Sequence, residues 1–186
     1  MEKNGNLKKR TLKRTILTAL TIAWMIFIFF MSSMEQEESA SQSSTVIDFV
    51  CSVFVQGYSE MPPAEKLEIQ EKLTFPVRKG AHMTEYAILG MLLSLTVYEY
   101  IVEYEFFAMK NSTLLSEREE IAEKTAFPPA LVLGLLYACS DEIHQTFVRG
   151  RSGEVRDVLV DTAGVMAGAL LIAYILPALS GWRKKA

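Results

Sequence analysis

The chain has two histidines, and each stands at helical spacing from a carboxylate: His82 precedes Glu85 by three residues, and His144 follows Asp141 by three, with Glu142 between them. Imidazole and carboxyl groups are the common agents of proton transfer. His82, Glu85, Asp141, Glu142 and His144 are therefore candidate catalytic acids and bases, whose pKa values burial would move toward neutrality. The same donors suit a divalent metal such as zinc or manganese, although their spacing matches no recognised metal signature. Around them stand Lys79, Gln145, Arg149, Arg151, Arg156, Asp157 and Asp161, which suit ligand binding. Arginine in particular grips phosphate through paired hydrogen bonds. Ser140, beside Asp141, is the nearest nucleophile and a weak one.

On helices these residues fall into stripes. Arg78, His82 and Glu85 share one face, and Asp141, His144 and Gln145 share another. Asp157, Asp161, Gly164 and Gly168 form a third, whose two glycines make a GxxxG that permits close helix contact.

The elements that carry the stripes are legible from composition. The chain has 186 residues, 50% hydrophobic and 22% charged, with a net charge of −3. That balance argues against a nucleic-acid binder, which shows a basic domain or face. The apolar content excludes disorder. Cys51 and Cys139 are too few for a disulfide framework or a four-thiolate zinc site, and no glycine-rich nucleotide signature is present.

The apolar residues gather in four runs, at 15–33, 80–101, 127–148 and 158–176. Each is about long enough to cross a ~30 Å hydrocarbon core at ~1.5 Å per residue. The expected fold class is all-α, a polytopic membrane protein in one domain over 1–186. It is a four-helix transmembrane bundle with a short amphipathic extracytoplasmic helix. Lys8, Lys9, Arg10, Lys13 and Arg14 precede the first run, and Arg183, Lys184 and Lys185 follow the last. The positive-inside bias then places both termini in the cytoplasm, 34–79 and 149–157 outside, and the loop 102–126 inside. The first run reads as an uncleaved anchor, because a cleaved signal has an apolar region of only ~7–15 residues.

Between the spans, 34–45 reads as an acidic, serine-rich loop, and 45–58 as an amphipathic helix on the outer membrane surface. Pro62-Pro63 opens a separate, solvated helix over 64–73, and Pro128-Pro129 opens the third span. Ser116–Glu119 reads as a capping box.

The uninterrupted apolar part of the second span, 86–98, has only thirteen residues, as does 127–139 in the third. Each covers about 20 Å, short of the hydrocarbon core. Crossing must therefore draw in Lys79, His82 and Glu85 on one helix and Asp141, Glu142, His144 and Gln145 on another. Asp161 lies one turn inside the fourth. All belong to the same end of their helices, which assembles one polar site in the outward half of the bundle. Ionisable groups at such depth cost ~2.5–3.5 kcal/mol each at a helix centre and are functional candidates by default. The plainer alternative pairs the acids with Lys79, Arg149, Arg151 and Arg156 to stitch helix ends together.

Two segments, RKGAHMTEYAILG (78–90) and YACSDEIHQTFVRGRSGEVRDVLVDTAGVMAG (137–168), resemble the VanZ-like family of small bacterial membrane proteins. Lys79, His82, Glu85, Tyr86, Asp141, Glu142, His144, Gln145, Phe147, Arg151, Asp157 and Gly164 fall on the family pattern. Ile28–Ser33 fits it more loosely, and Asp161 stands where the pattern has asparagine. The resemblance implies a role in the cell envelope linked to teicoplanin and glycopeptide resistance, and no settled chemistry.

The expected partners are the bilayer and an amphiphilic or anionic lipid-linked ligand, a glycopeptide antibiotic or a polyprenyl-phosphate-linked intermediate. A membrane-embedded hydrolase or transferase, with or without a metal, is the alternative. A proton- or ion-coupled transporter is the third reading.

Overall fold

A computed structural model describes residues 2–108 and 115–175. Among them the regular elements are all helical: α1 (Glu2–Ser32), α2 (Gln36–Phe54), α3 (Pro63–Ala108), α4 (Leu115–Gln145) and α5 (Val155–Leu170). A short 3-10 turn, Tyr58–Glu60, precedes α3, and a π turn, Leu171–Ile175, extends α5. Four segments are long and apolar enough to cross a membrane: Lys8–Ser32, Pro63–Val102, Lys124–Gln145 and Val155–Ile175. The chain is thus a multi-pass helical membrane protein. The basic tail at 183–185 and the side chains of Ser116–Glu119 lie outside the described residues.

The outer faces are what a bilayer requires. On α1, Ile16, Leu20, Ile22, Ile26 and Phe30 are exposed. The hydroxyls of Thr18 and Thr21 fold back onto the carbonyls of Arg14 and Leu17 at 2.9 Å, so these two groups are satisfied in an apolar setting.

Successive spans alternate in direction. Early in α1, Lys13 pairs with Glu99 at 2.5 Å and Thr21 meets Thr96 at 2.9 Å, both late in α3. Further along α1, the Trp24 indole N–H donates to the Glu85 carbonyl at 2.9 Å, so the two helices are antiparallel. The Tyr137 hydroxyl donates to the Met25 carbonyl, and further along both helices the Ser32 hydroxyl donates to Asp141, so α4 is parallel to α1.

Helix α5 runs along α3 at backbone range. A Cβ on Gly164 would overlap the Met83 carbonyl oxygen, and one on Gly168 that of Ala87. On the α3 side, a Cβ on Gly90 would overlap the Val165 carbonyl. The GxxxG stripe does here what its spacing implies. Ile28, Tyr86, Leu89, Leu93, Ala130, Ala138, Val165 and Ala169 form the buried core.

Three local expectations need correction. The stretch from Gln36 onward is helix rather than loop, because its hydroxyls turn inward: Ser43 donates to the Ser39 carbonyl at 2.9 Å and Thr45 to that of Ser41 at 3.1 Å. The segment 64–73 is no separate helix but the first part of α3, which continues through Pro76 for 46 residues. Helix α4 likewise begins at Leu115 and passes through Pro128 and Pro129.

Helix α2 is amphipathic, yet it lies against α3. Ile47 and Cys51 are buried with Tyr58 against Ile69, Leu73 and Val77, while Val46, Phe49, Val53 and Phe54 stay exposed. Asp48 ties the pair together, accepting from the Tyr58 hydroxyl at 2.5 Å and from the Gln70 amide at 2.7 Å. These donors hold the Asp48 carboxyl below its ordinary value, and the bond to Asp48 raises the Tyr58 phenol to about 12. Both cysteines are free.

Candidate functional site

The end of the bundle where α1 and α4 finish and α3 and α5 begin collects the polar residues. Asp141 is the hub, only 3% exposed. One of its oxygens, Oδ2, accepts from Ser32 Oγ at 2.8 Å, from the Tyr86 hydroxyl at 3.1 Å and from Gln145 Nε2 at 3.2 Å. The other, Oδ1, is buried without a partner. Three helices thus meet on one carboxylate: Ser32 ends α1, Tyr86 comes from α3, and Gln145 lies one turn along α4.

Gln145 passes the network outward. Its Nε2 also donates to Glu142 Oε1 at 3.1 Å, and its Oε1 accepts from Arg151 Nη1 at 3.2 Å. Glu142 Oε2 accepts the backbone N–H of Glu154 at 2.9 Å, fixing the loop before α5. That loop turns at Gly150, whose φ of 77° belongs to the region where glycine is at ease. On α5, Asp157 pairs with Lys79. Asp161 is 1% exposed, and its Oδ2 has no partner.

The two histidines face different neighbours. His144 stacks on Phe29 with centroids 4.3 Å apart, and its Nε2 lies 3.0 Å from Ser33 Oγ. Ser33 spends its one hydroxyl hydrogen on the Phe29 carbonyl at 2.6 Å, so His144 Nε2 is the donor to it. His82 is half-buried on α3, and its Nδ1 has no partner. No three His, Cys, Asp or Glu side chains are grouped to hold a metal among the described residues.

Two cavities open beside this network. The larger, about 210 Å³, has mostly apolar walls that include Met31, Met34, Val46 and Val77. Arg78, His82, Glu85 and Arg151 supply its polar side. The smaller, about 190 Å³, is mostly polar and includes Lys79, Gln145, Ser152, Glu154 and Asp157. Arg78 and Arg151 line both.

Arg151 is the conspicuous cation. Its Nε is buried without an acceptor, and among the described residues its Nη1 donates to a neutral amide, that of Gln145. Burial and the like charge of Arg78 both push its pKa down, against the pull of Asp141, Glu142 and Glu85. Arg78 and Arg151 lie within each other's field, and guanidinium groups are of the chemical type that hydrogen-bonds anionic oxygens in pairs.

Of the expected site residues, the structure gathers Lys79, His82, Glu85, Asp141, Glu142, Gln145, Arg151, Asp157 and Asp161 at one end. His144 is there too, turned toward α1; like Asp141, Glu142 and Asp161, it lines neither cavity. Arg149 is exposed on the loop, and Arg156 lies over the Phe75 ring at 4.7 Å; neither lines a cavity. Of the suggested acid–base pairings, only Lys79–Asp157 is a direct ion pair among the described residues. Sequence reasoning missed Ser32, Ser33 and Tyr86 as partners of the site, although the loose fit of 28–33 and the Tyr86 position pointed to them.

The family model described as VanZ/LLP1 matches residues 17–176 of the chain, which takes in both cavities and the whole polar network. No curated protein and no solved structure matches it.

Proposed function

Because the chain belongs to the VanZ/LLP1 family, we propose that it is an envelope protein that binds a cell-wall-related amphiphile with an anionic head. The ligand is a lipophilic glycopeptide antibiotic or a polyprenyl-phosphate-linked intermediate. Binding shields or sequesters it without covalent change, in keeping with the teicoplanin resistance that the family name carries. The observation that carries this reading is one cavity with Arg78 and Arg151 on one side and Met31, Met34, Val46 and Val77 on the other. A charged head meets the cations and an apolar tail lies against the rest.

Orientation follows the positive-inside bias. Lys8, Lys9, Arg10, Lys13 and Arg14 keep the start of α1 in the cytoplasm, so the polar end, at the other end of α1, faces outward. The hydrolase or transferase reading draws on His82 and Glu85, which line the same cavity. It requires that His82→Ala abolish turnover while binding survives.

The test is to extract the protein from its membrane and identify co-purifying lipids by mass spectrometry, beside Arg151→Ala. A phosphate-bearing lipid retained by the native protein and depleted about tenfold in the variant supports the reading. Identical lipid profiles for the two proteins, together with no Arg151-dependent binding of a lipophilic glycopeptide, overturn it.

A further inference from the structure

The two cavities are consecutive along α3. The apolar one spans Val77 to Glu85, and the polar one draws on Phe75 to Lys79, one turn nearer the end of the bundle. They meet at Arg78 and Arg151, the two side chains common to both. A ligand phosphate seated between these guanidiniums would have an apolar chamber on one side and a polar chamber on the other.

The chemistry of the polar chamber narrows what could fill it. Apart from the arginines, it holds one cation, Lys79, already paired to Asp157. Glu154 adds a second acid, and Gln145 and Ser152 are neutral. With Arg78 and Arg151 included, the lining carries three positive charges against two negative, and one phosphodiester charge balances the remainder, so no cation is spare for a second anionic group. Hydroxyl groups, which both donate and accept, find partners of each kind.

We infer that the ligand is a lipid phosphodiester: an apolar chain in the larger cavity, its phosphate between Arg78 and Arg151, and an uncharged, hydroxyl-rich head such as a sugar in the smaller. The inference rests on the anionic-amphiphile reading and adds that the phosphate is substituted on its far side. A bare lipid monophosphate leaves the polar chamber without a partner. It also carries more negative charge than the diester, so charge attraction alone would rank the monophosphate as the tighter ligand. The chamber reverses that order.

The experiment uses the full chain in nanodiscs of neutral lipid and two probes, a polyprenyl monophosphate and the same chain bearing one hexose on its phosphate. Expected for the native protein is an affinity at least fivefold greater for the hexose-bearing probe. Ser152→Trp, an exposed loop position that borders only the polar chamber, erases the preference. Arg151→Ala weakens both probes about tenfold. If the two probes bind with equal, Arg151-dependent affinity, or the monophosphate binds more tightly, the phosphodiester inference is overturned and the broader reading stands. If neither probe binds, the phosphodiester inference falls together with the polyprenyl-phosphate form of the broader reading. The native-protein comparison decides the matter even where Ser152→Trp fails to fold.

Discussion

At the scale of the residue, Asp141 joins three helices. Three donors from three helices, Ser32, Tyr86 and Gln145, converge on one of its oxygens. Removing that oxygen strands all three, and a buried donor without a partner costs about 1–3 kcal/mol. Asp141→Ala is expected to lose at least about 3 kcal/mol, while Asp141→Asn, which retains one acceptor oxygen, loses less than half as much. Thermal unfolding of the purified variants in detergent checks the ranking, and equal losses would contradict it. The sequence marked Asp141 and His144 as partners because they share a helical face. Which group serves as hub and which stands aside depends on what faces them across the bundle. Phe29 and Ser33 claim His144 from α1, and spacing within α4 carries no trace of that.

At the scale of the element, the closest contact is between α3 and α5. A Cβ at Gly168 meets the backbone carbonyl of Ala87, which cannot swing aside as a side chain would. Gly168→Ala is therefore expected to destabilise by about 1–3 kcal/mol, as overpacked cores do, and to disturb Asp161 two turns earlier. A Gly168→Ala protein that melts like the native one would mean the helices separate freely. Small residues at four-residue spacing made this contact legible in advance. Pro128 and Pro129 misled instead, because α4 passes through them. In α3, Pro76 lacks an N–H and opposes the carbonyl four residues earlier, where a helix often breaks. Leu73 and Val77 straddle it, however, and both pack under Ile47 and Cys51 of α2, so tertiary contact spans the break. Serines and acids at 34–45 suggested a loop for a similar reason: the segment is polar by composition, and only the fold shows that Ser43 is buried at the edge of the larger cavity.

At the scale of the whole molecule, the sharing of one end by all the polar stripes was deducible from length alone. Two apolar runs too short to cross must extend into charged neighbours, and alternating directions bring those neighbours together. The orientation is open to a direct measurement. In a background lacking Cys51 and Cys139, a cysteine at the exposed position Arg149 should react with a membrane-impermeant maleimide on intact cells. One at Lys9 should react only after permeabilisation. The opposite pattern would place the polar end in the cytoplasm.

The interior beyond the site is equally telling. Below Asp141 and Asp161 the bundle closes on Ile28, Leu89, Leu93, Ala130, Val165 and Ala169, and the far end is fastened by Lys13 and Glu99. Among the described residues such a shape is a cul-de-sac. On the proposed binding reading, a ligand admitted at the polar end leaves by the same door.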